Sequence, residues 1–367
     1  MSAPSRAAAR VPELAGGTAL VIAIAAAGHW LADWLGTNVL GFAKTPFSPV
    51  MMAILLGLAA ANAWPSLTNR IQPVLQRCTT TVLRLGIMLL GLRLSLVAAS
   101  SLGLAALPVV AICITLALAI VIAAGRAIGL SRELGGLIAV GTSICGITAI
   151  AATAPLIRAR SAEVSYASGC IALFGLAALL VMPWIAHALF PGDARLAGIF
   201  LGTSVHDTSQ VAGAGLVYQQ QYGVTGALEA ATVTKLVRNL CMIVVIPLIA
   251  IIYRERTAGA AAVMPGPRPS LVPLFVFGFI AMCALRSIGD LGPRPFGRLT
   301  PQAWHDGIAR AQIVSEWALT IAMSAVGLQT RFATFRSLGW KPLALGLVAA
   351  ALVGCVSAGS LLLLHRP

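Results

Sequence analysis

The stretch Val109–Ala124, VVAICITLALAIVIAA, contains no charged residue. Extended back to Gly103, it reaches the roughly 20 residues that a helix needs to cross a bilayer. Leu343–Leu364, LALGLVAAALVGCVSAGSLLLL, reads the same way. The whole chain is built in this manner: of its 367 residues, 59% are hydrophobic and 10% charged. Soluble domains carry about 25% charged residues, so this chain could not cover a water-facing surface. Composition therefore excludes a cytosolic enzyme, a secreted disulfide scaffold and a disordered protein. The fold class is all-α, a polytopic transmembrane helical bundle.

Spacing places eleven spans, at 16–35, 47–64, 79–98, 103–124, 133–156, 163–190, 194–216, 224–252, 270–286, 305–329 and 341–364. The spans at 163–190 and 224–252 are long, with Pro183 and Pro247 as kink points. Segment 65–78 reads as an interfacial connector. The loops 253–269 and 287–304 are too short for a soluble domain, so residues 1–367 read as one transmembrane domain. Arg6 and Arg10 precede 16–35, but that stretch is long enough to span and is read as retained.

Lys and Arg number 25 against 11 Asp and Glu. In a soluble protein this excess would point to nucleic acid. Here it sets membrane topology, with a remainder available to an anionic substrate. Counted loop by loop, the bias puts the N-terminus inside, with loops 157–162 and 287–304 dissenting. Seven Cys are scattered without a CxxC pair, so no metal, disulfide or cofactor is expected.

The most informative feature is an internal match. GTSICGITAIAA at 141–152 recurs as GTSVHDTSQVAG at 202–213, each midway along a span. Glycine and hydroxyl residues favour opening a helix there, and freed backbone groups can then coordinate substrate or ion. Close packing through small residues is the alternative. A fainter echo links 86–95, ending in Gly91-Leu92-Arg93, with 322–331, containing Gly327-Leu328-Gln329. Internal repeats are therefore expected, although the two echoes do not describe one simple inverted duplication.

Ionisable residues inside spans are costly and mark function or pairing. His206 and Asp207 adjoin at the second match, with Gln210 one turn on. Lys235 and Arg238 share one face of span 224–252, which also holds Glu229. They would attract an anion, or else pair structurally with Asp207. Arg84 and Arg93 lie in span 79–98, where snorkelling is an alternative. Glu316, within 305–329, is either a buried ion-pair member or a proton carrier. No HExxH, GxSxG or phosphate loop is present. Ser204, His206 and Asp207 are triad residue types, but neighbours in sequence rarely converge, so no catalytic residue is assigned.

These residues carry a family resemblance. CGITAIAATAP at 145–155 resembles the first signature of the YeiH family, whose members bear a sulfate-exporter label. His206-Asp207-Thr-Ser-Gln210-Val is similar to its second, His-Glu/Asp-x-x-Gln-Val, and Lys235-Leu-Val-Arg238 to its third. Thr148 stands where Ser is common and Asp207 where Glu is frequent. The resemblance implies an inner-membrane secondary carrier with a fold distantly like the sodium/bile-acid symporter type.

The resulting expectation is a transporter of a small inorganic or organic anion: sulfate, sulfite or an organosulfonate. Its substrate site would comprise Ser143, Cys145, Gly146, Thr148, Ser204, His206, Asp207, Gln210, Lys235 and Arg238. His206 or Glu316 would carry a coupling proton, with sodium the other coupling ion. The partners are then the anion, the coupling ion and the lipid bilayer, in a chain that can oligomerise. An anion channel is the first rival and a membrane enzyme the second.

Overall fold

The computed structural model describes residues 3–39, 48–254, 274–291, 294–297, 299–333 and 339–364. Most of the 253–269 loop, the start of the 270–286 span, and Lys44, Arg256, Arg268, Arg298, Arg336 and Arg366 from the charge count lie outside them. Among the described residues there are helices and no strand. Of the helices formed by the described residues, six are long and apolar enough to cross a membrane, and two shorter ones, Pro49–Ala63 and Leu274–Gly289, are also apolar.

In chain order the helices are α1 (Ala3–Asp33), α2 (Pro49–Ala63), α3 (Pro65–Arg70), α4 (Gln72–Arg77), α5 (Leu83–Leu90), α6 (Leu96–Ala127), α7 (Arg132–Ser143) and α8 (Ile147–Thr153). Then follow α9 (Ser161–Leu189), α10 (Ala194–Ser204), α11 (Thr208–Tyr222), α12 (Ala227–Leu240), α13 (Met242–Arg254), α14 (Leu274–Gly289), α15 (Pro301–Gln329) and α16 (Trp340–Leu364).

Several boundaries answer to local chemistry. Ser48 opens α2 by accepting from the Met51 amide, with Pro49 at the first helical position. Thr79 and Thr80 return their hydroxyls to the Leu75 and Gln76 carbonyls, where the backbone widens into a π turn at Cys78–Val82. Helix α9 runs unbroken through Pro183. Pro247 lies inside α13, and the interruption between α12 and α13 falls six residues upstream, at Cys241.

The chain divides into two compact units. The first comprises Met1–Ala99, Ala212–Glu229 and Phe277–Ala333. In it α2 lies along α15, and α1 packs on both. Val21, Ile24, Ile71, Val74, Leu75, Cys78, Ala325 and Leu328 form an apolar core there. Gly57 and Gly327 let α2 and α15 meet backbone to backbone: a Cβ on Gly57 would lie 2.5 Å from the Ser324 carbonyl oxygen, and one on Gly327 would strike that of Ile54.

At the junction of α14 and α15, Asp290 accepts from the Arg286 guanidinium at 2.6 Å and the Trp304 indole at 2.9 Å. Burial alone would raise its carboxyl. The Trp304 and Arg286 bonds outweigh burial and hold it below the ordinary range. A depressed carboxyl stabilises fully above its unfolded-state value and loses that contribution as pH falls through its folded-state value. Asp290→Asn is therefore expected to flatten the acid side of the stability profile slightly, measured as unfolding midpoint against pH. A profile identical to the parent's would show that the contacts carry no net stability.

The second unit comprises Ser100–Val211, Ala230–Val276 and Thr334–Pro367. Within it α9 packs against α7, α8, α10 and α16. It contains both copies of the Gly-Thr-Ser motif.

Candidate functional site

Both matched segments are breaks in a helix. Helix α7 stops at Ser143, Ile144 leaves helical geometry at φ −120° and ψ −96°, and Gly146 takes φ 73° and ψ −129° before α8 begins. That backbone conformation is open to glycine and strained for any other residue. A Cβ there would also approach the Asp207 Oδ2 to 3.0 Å. Gly146→Ala is therefore expected to cost about 1–3 kcal/mol, read as a lowered unfolding midpoint in detergent. An unchanged midpoint would mean that the break relaxes freely. Helix α10 likewise stops at Ser204, Val205 is extended, and α11 starts at Thr208.

Each break strands carbonyls that have no partner in their own helix. One helix supplies the missing donors to both. The Lys235 ammonium donates to the carbonyls of Ile144 (2.9 Å), Val205 (3.1 Å) and His206 (2.5 Å). Arg238 donates through Nε to Ser143 O at 2.7 Å, through Nη1 to Thr203 O at 2.6 Å and Val205 O at 3.4 Å, and through Nη2 to Thr142 O. Both side chains are completely buried. Cations at helix C-termini also meet the negative end of the helix dipole. The two breaks thus converge on one pair of charges carried by α12.

This geometry departs from the sequence reading in two ways. Asp207 is not an ion-pair partner of either cation, since no salt bridge joins them among the described residues. Nor do the cations present free forks to a ligand: all three Lys235 donors and most of those of Arg238 are taken by carbonyls. Stranded helix ends compete for buried donors as an oxyanion would, and sequence spacing does not reveal that competition.

Asp207 and Gln210 have a local explanation. Asp207 Oδ1 accepts from the Ser209 amide at 2.9 Å and hydroxyl at 2.7 Å, and Gln210 Oε1 accepts from the Asp207 amide at 3.2 Å. Together they form the reciprocal cap of a helix start. Gln210 also fills the space over Gly175, where a Cβ would strike its amide. Gly202 has a packing role too. A Cβ there would lie 2.6 Å from Thr234 and 2.7 Å from the Ala231 carbonyl oxygen, so glycine lets α12 come close enough for its cations to reach the breaks.

The remaining candidates, with Thr142 and Thr203 beside them, divide by partner. Ser143 returns its hydroxyl to Ala139 O, Thr203 bonds Ile199 O and Ser357, and the Cys145 sulfur lies 3.3 Å from that of Met242. Thr148 is exposed at the start of α8. Thr142 Oγ1, Ser204 Oγ and both imidazole nitrogens of His206 are buried without a hydrogen-bond partner among the described residues. The Ser204 carbonyl lies near the imidazole without forming a hydrogen bond of normal geometry. His206 is enclosed by protein, with 1% of its surface exposed.

Glu316 is elsewhere, in the first unit. There Arg93 bridges two carboxylates, through Nη1 to Glu229 at 2.9 Å and through Nη2 to Glu316. Arg93 does not snorkel, whereas Arg84 is exposed. Each of the three residues stands out in sequence as an intramembrane charge. Their convergence from distant segments left no signal in local spacing. No group of three or more His, Cys, Asp or Glu suited to a metal occurs among the described residues.

Long apolar helices, together with two shorter broken helices that meet buried cations, define a multi-pass helical membrane protein. The chain belongs to the family described as Conserved hypothetical protein 698, whose match covers residues 17–346, and it is identified with the YeiH/UPF0324 group. It is 32% identical to the UPF0324 membrane protein TauZ of Paracoccus pantotrophus, over 90% of this chain and 89% of the relative. It is 29% identical to a UPF0324 membrane protein of Chlorobaculum tepidum, over 92% and 87%. A UPF0324 membrane protein of Bacillus cereus is 27% identical over 91% and 90%. No solved structure matches.

Proposed function

We propose that this protein is a secondary transporter of a small anion such as sulfate, sulfite or an organosulfonate. We place it in the bacterial inner membrane with its N-terminus in the cytoplasm and about eleven spans in a bile-acid-symporter-like arrangement, with export as the direction. One observation carries the reading: two wholly buried cations lie at converging helix breaks, with no carboxylate within ion-pair distance among the described residues. Carbonyl dipoles solvate these charges but do not neutralise them, and isolated charge in an apolar interior is costly. A bound anion would neutralise the excess. Lys235 and Arg238 act as its field, while the unpartnered Thr142, Ser204 and His206 groups supply direct contacts. A proton or sodium ion provides the coupling.

The test is counterflow in proteoliposomes containing purified protein, with sulfite, sulfate and methanesulfonate as probes. A carrier gives saturable uptake accelerated by anion on the opposite side. Current proportional to voltage without counterflow would instead establish a channel. Conversion of the probe without movement would establish an enzyme.

A further inference from the structure

We infer that the Arg93-bridged pair Glu229 and Glu316 is a proton-binding site, with Glu316 the group that takes the proton. Its coupling to anion movement rests on the transport reading above; the binding of the proton does not. The first observation is charge. One guanidinium serves two carboxylates within the first unit, so the ionised cluster holds one uncompensated negative charge. The second is hydrogen bonding. Glu229 is 5% exposed, its Oε1 is held by Arg93, and its Oε2 is buried with no partner among the described residues. Arg93 Nε is likewise buried and unpartnered. The cluster is thus under-neutralised and incompletely bonded, in a region where charge is costly.

Exposure chooses the proton acceptor. The Glu229 side chain is 7% exposed and that of Glu316 36%. A proton arriving at a Glu316 oxygen cancels its charge, weakens its bond to Arg93 Nη2, and leaves Arg93 and Glu229 as a neutral one-to-one pair. Release restores the three-member bridge. The groups facing Glu316 are Arg93 and His29 of α1, and His29 in turn lies within electrostatic range of Asp33. His29 stacks on Trp317, the neighbour of Glu316, with ring centroids 4.6 Å apart. A proton on His206 would have the opposite effect, adding a third positive charge beside Lys235 and Arg238.

The experiment is a pH titration of the full chain in lipid nanodiscs, followed by infrared difference spectroscopy in the carboxylic-acid C=O region. That band is present only when a carboxyl is protonated. The other Asp and Glu side chains give a common background in every variant, and above it the parent should show an additional band that grows as pH falls. Glu316→Gln should lose it, and Glu316→Asp should keep it. Glu229→Gln should lose it as well, because Glu316 then has Arg93 to itself and stays ionised. Titration spectra of the parent and Glu316→Gln that superimpose, with no band lost on substitution, overturn the inference. Tryptophan emission and monodispersity confirm folding of each variant. Failure here leaves sulfite counterflow untouched, so it is separable from failure of the transport reading. If both hold, counterflow by Glu316→Gln should lose its dependence on an imposed pH gradient.

Discussion

Arg238→Ala is expected to prevent the purified protein from remaining monodisperse. Truncation leaves the carbonyls of Thr142, Ser143 and Thr203 without their donor, and Val205 with only Lys235. An orphaned buried polar group costs about 1–3 kcal/mol. Three such groups, minus whatever the cavity regains by collapse, amount to a loss on the order of 3–9 kcal/mol. That rivals the whole stability of a typical protein, about 5–15 kcal/mol. Arg238→Lys keeps the charge but replaces a planar fork reaching both breaks with a single ammonium. It should recover part of the loss, giving a folded protein with a lowered unfolding midpoint. Size-exclusion profiles and thermal unfolding in detergent provide the measurement. A midpoint for Arg238→Ala within a degree or two of the parent's would show that the clamp is dispensable.

Gly327→Leu should be equally damaging, for a different reason. A Cβ at this position would collide with the Ile54 carbonyl oxygen and sit 3.0 Å from the Leu58 amide nitrogen. Those are backbone atoms of α2, so no rotamer change relieves the overlap and the helices must separate along their contact. Overpacking typically costs about 1–3 kcal/mol when side chains can yield, and more is expected where they cannot. Gly57→Leu probes the same crossing from the other helix. Gly307→Ala in α15 and Gly359→Ala in α16 serve as references, since nothing lies within 4 Å of an added Cβ at either. Alanine favours helix over glycine by up to about 1 kcal/mol, so these two should be neutral or slightly stabilising. Yield of monodisperse protein after extraction separates the cases. Wild-type yield from Gly327→Leu would mean that α2 and α15 do not need their close approach.

The membrane class was legible because it is written in composition and run length, quantities that need no tertiary information. The breaks at 144–146 and 205–207 were legible for a related reason: glycine and hydroxyl residues within apolar helices disfavour continuity wherever they occur. Register along the chain was harder. Segment 79–98 reads as one span, yet it divides into a π turn, α5 and a 3₁₀ turn ending at Arg93. Partners were harder still. Asp207 and Lys235 are both plain in sequence, and opposite charge suggests that they pair. The structure instead gives Lys235 to carbonyls and Asp207 to its own helix start, because unsatisfied main-chain groups at the breaks compete for the same polar atoms. Arg93, Glu229 and Glu316 were each conspicuous, but residues 136 and 223 positions apart meet only through the fold.

Six main-chain oxygens from two broken helices draw on donors that sit three residues apart on α12. A helix advances about 1.5 Å per residue, so sliding α12 by one residue would carry both cations away from these acceptors in the same stroke. The breaks therefore share a single latch. A displacement of α12 unfastens the two paired helix ends together.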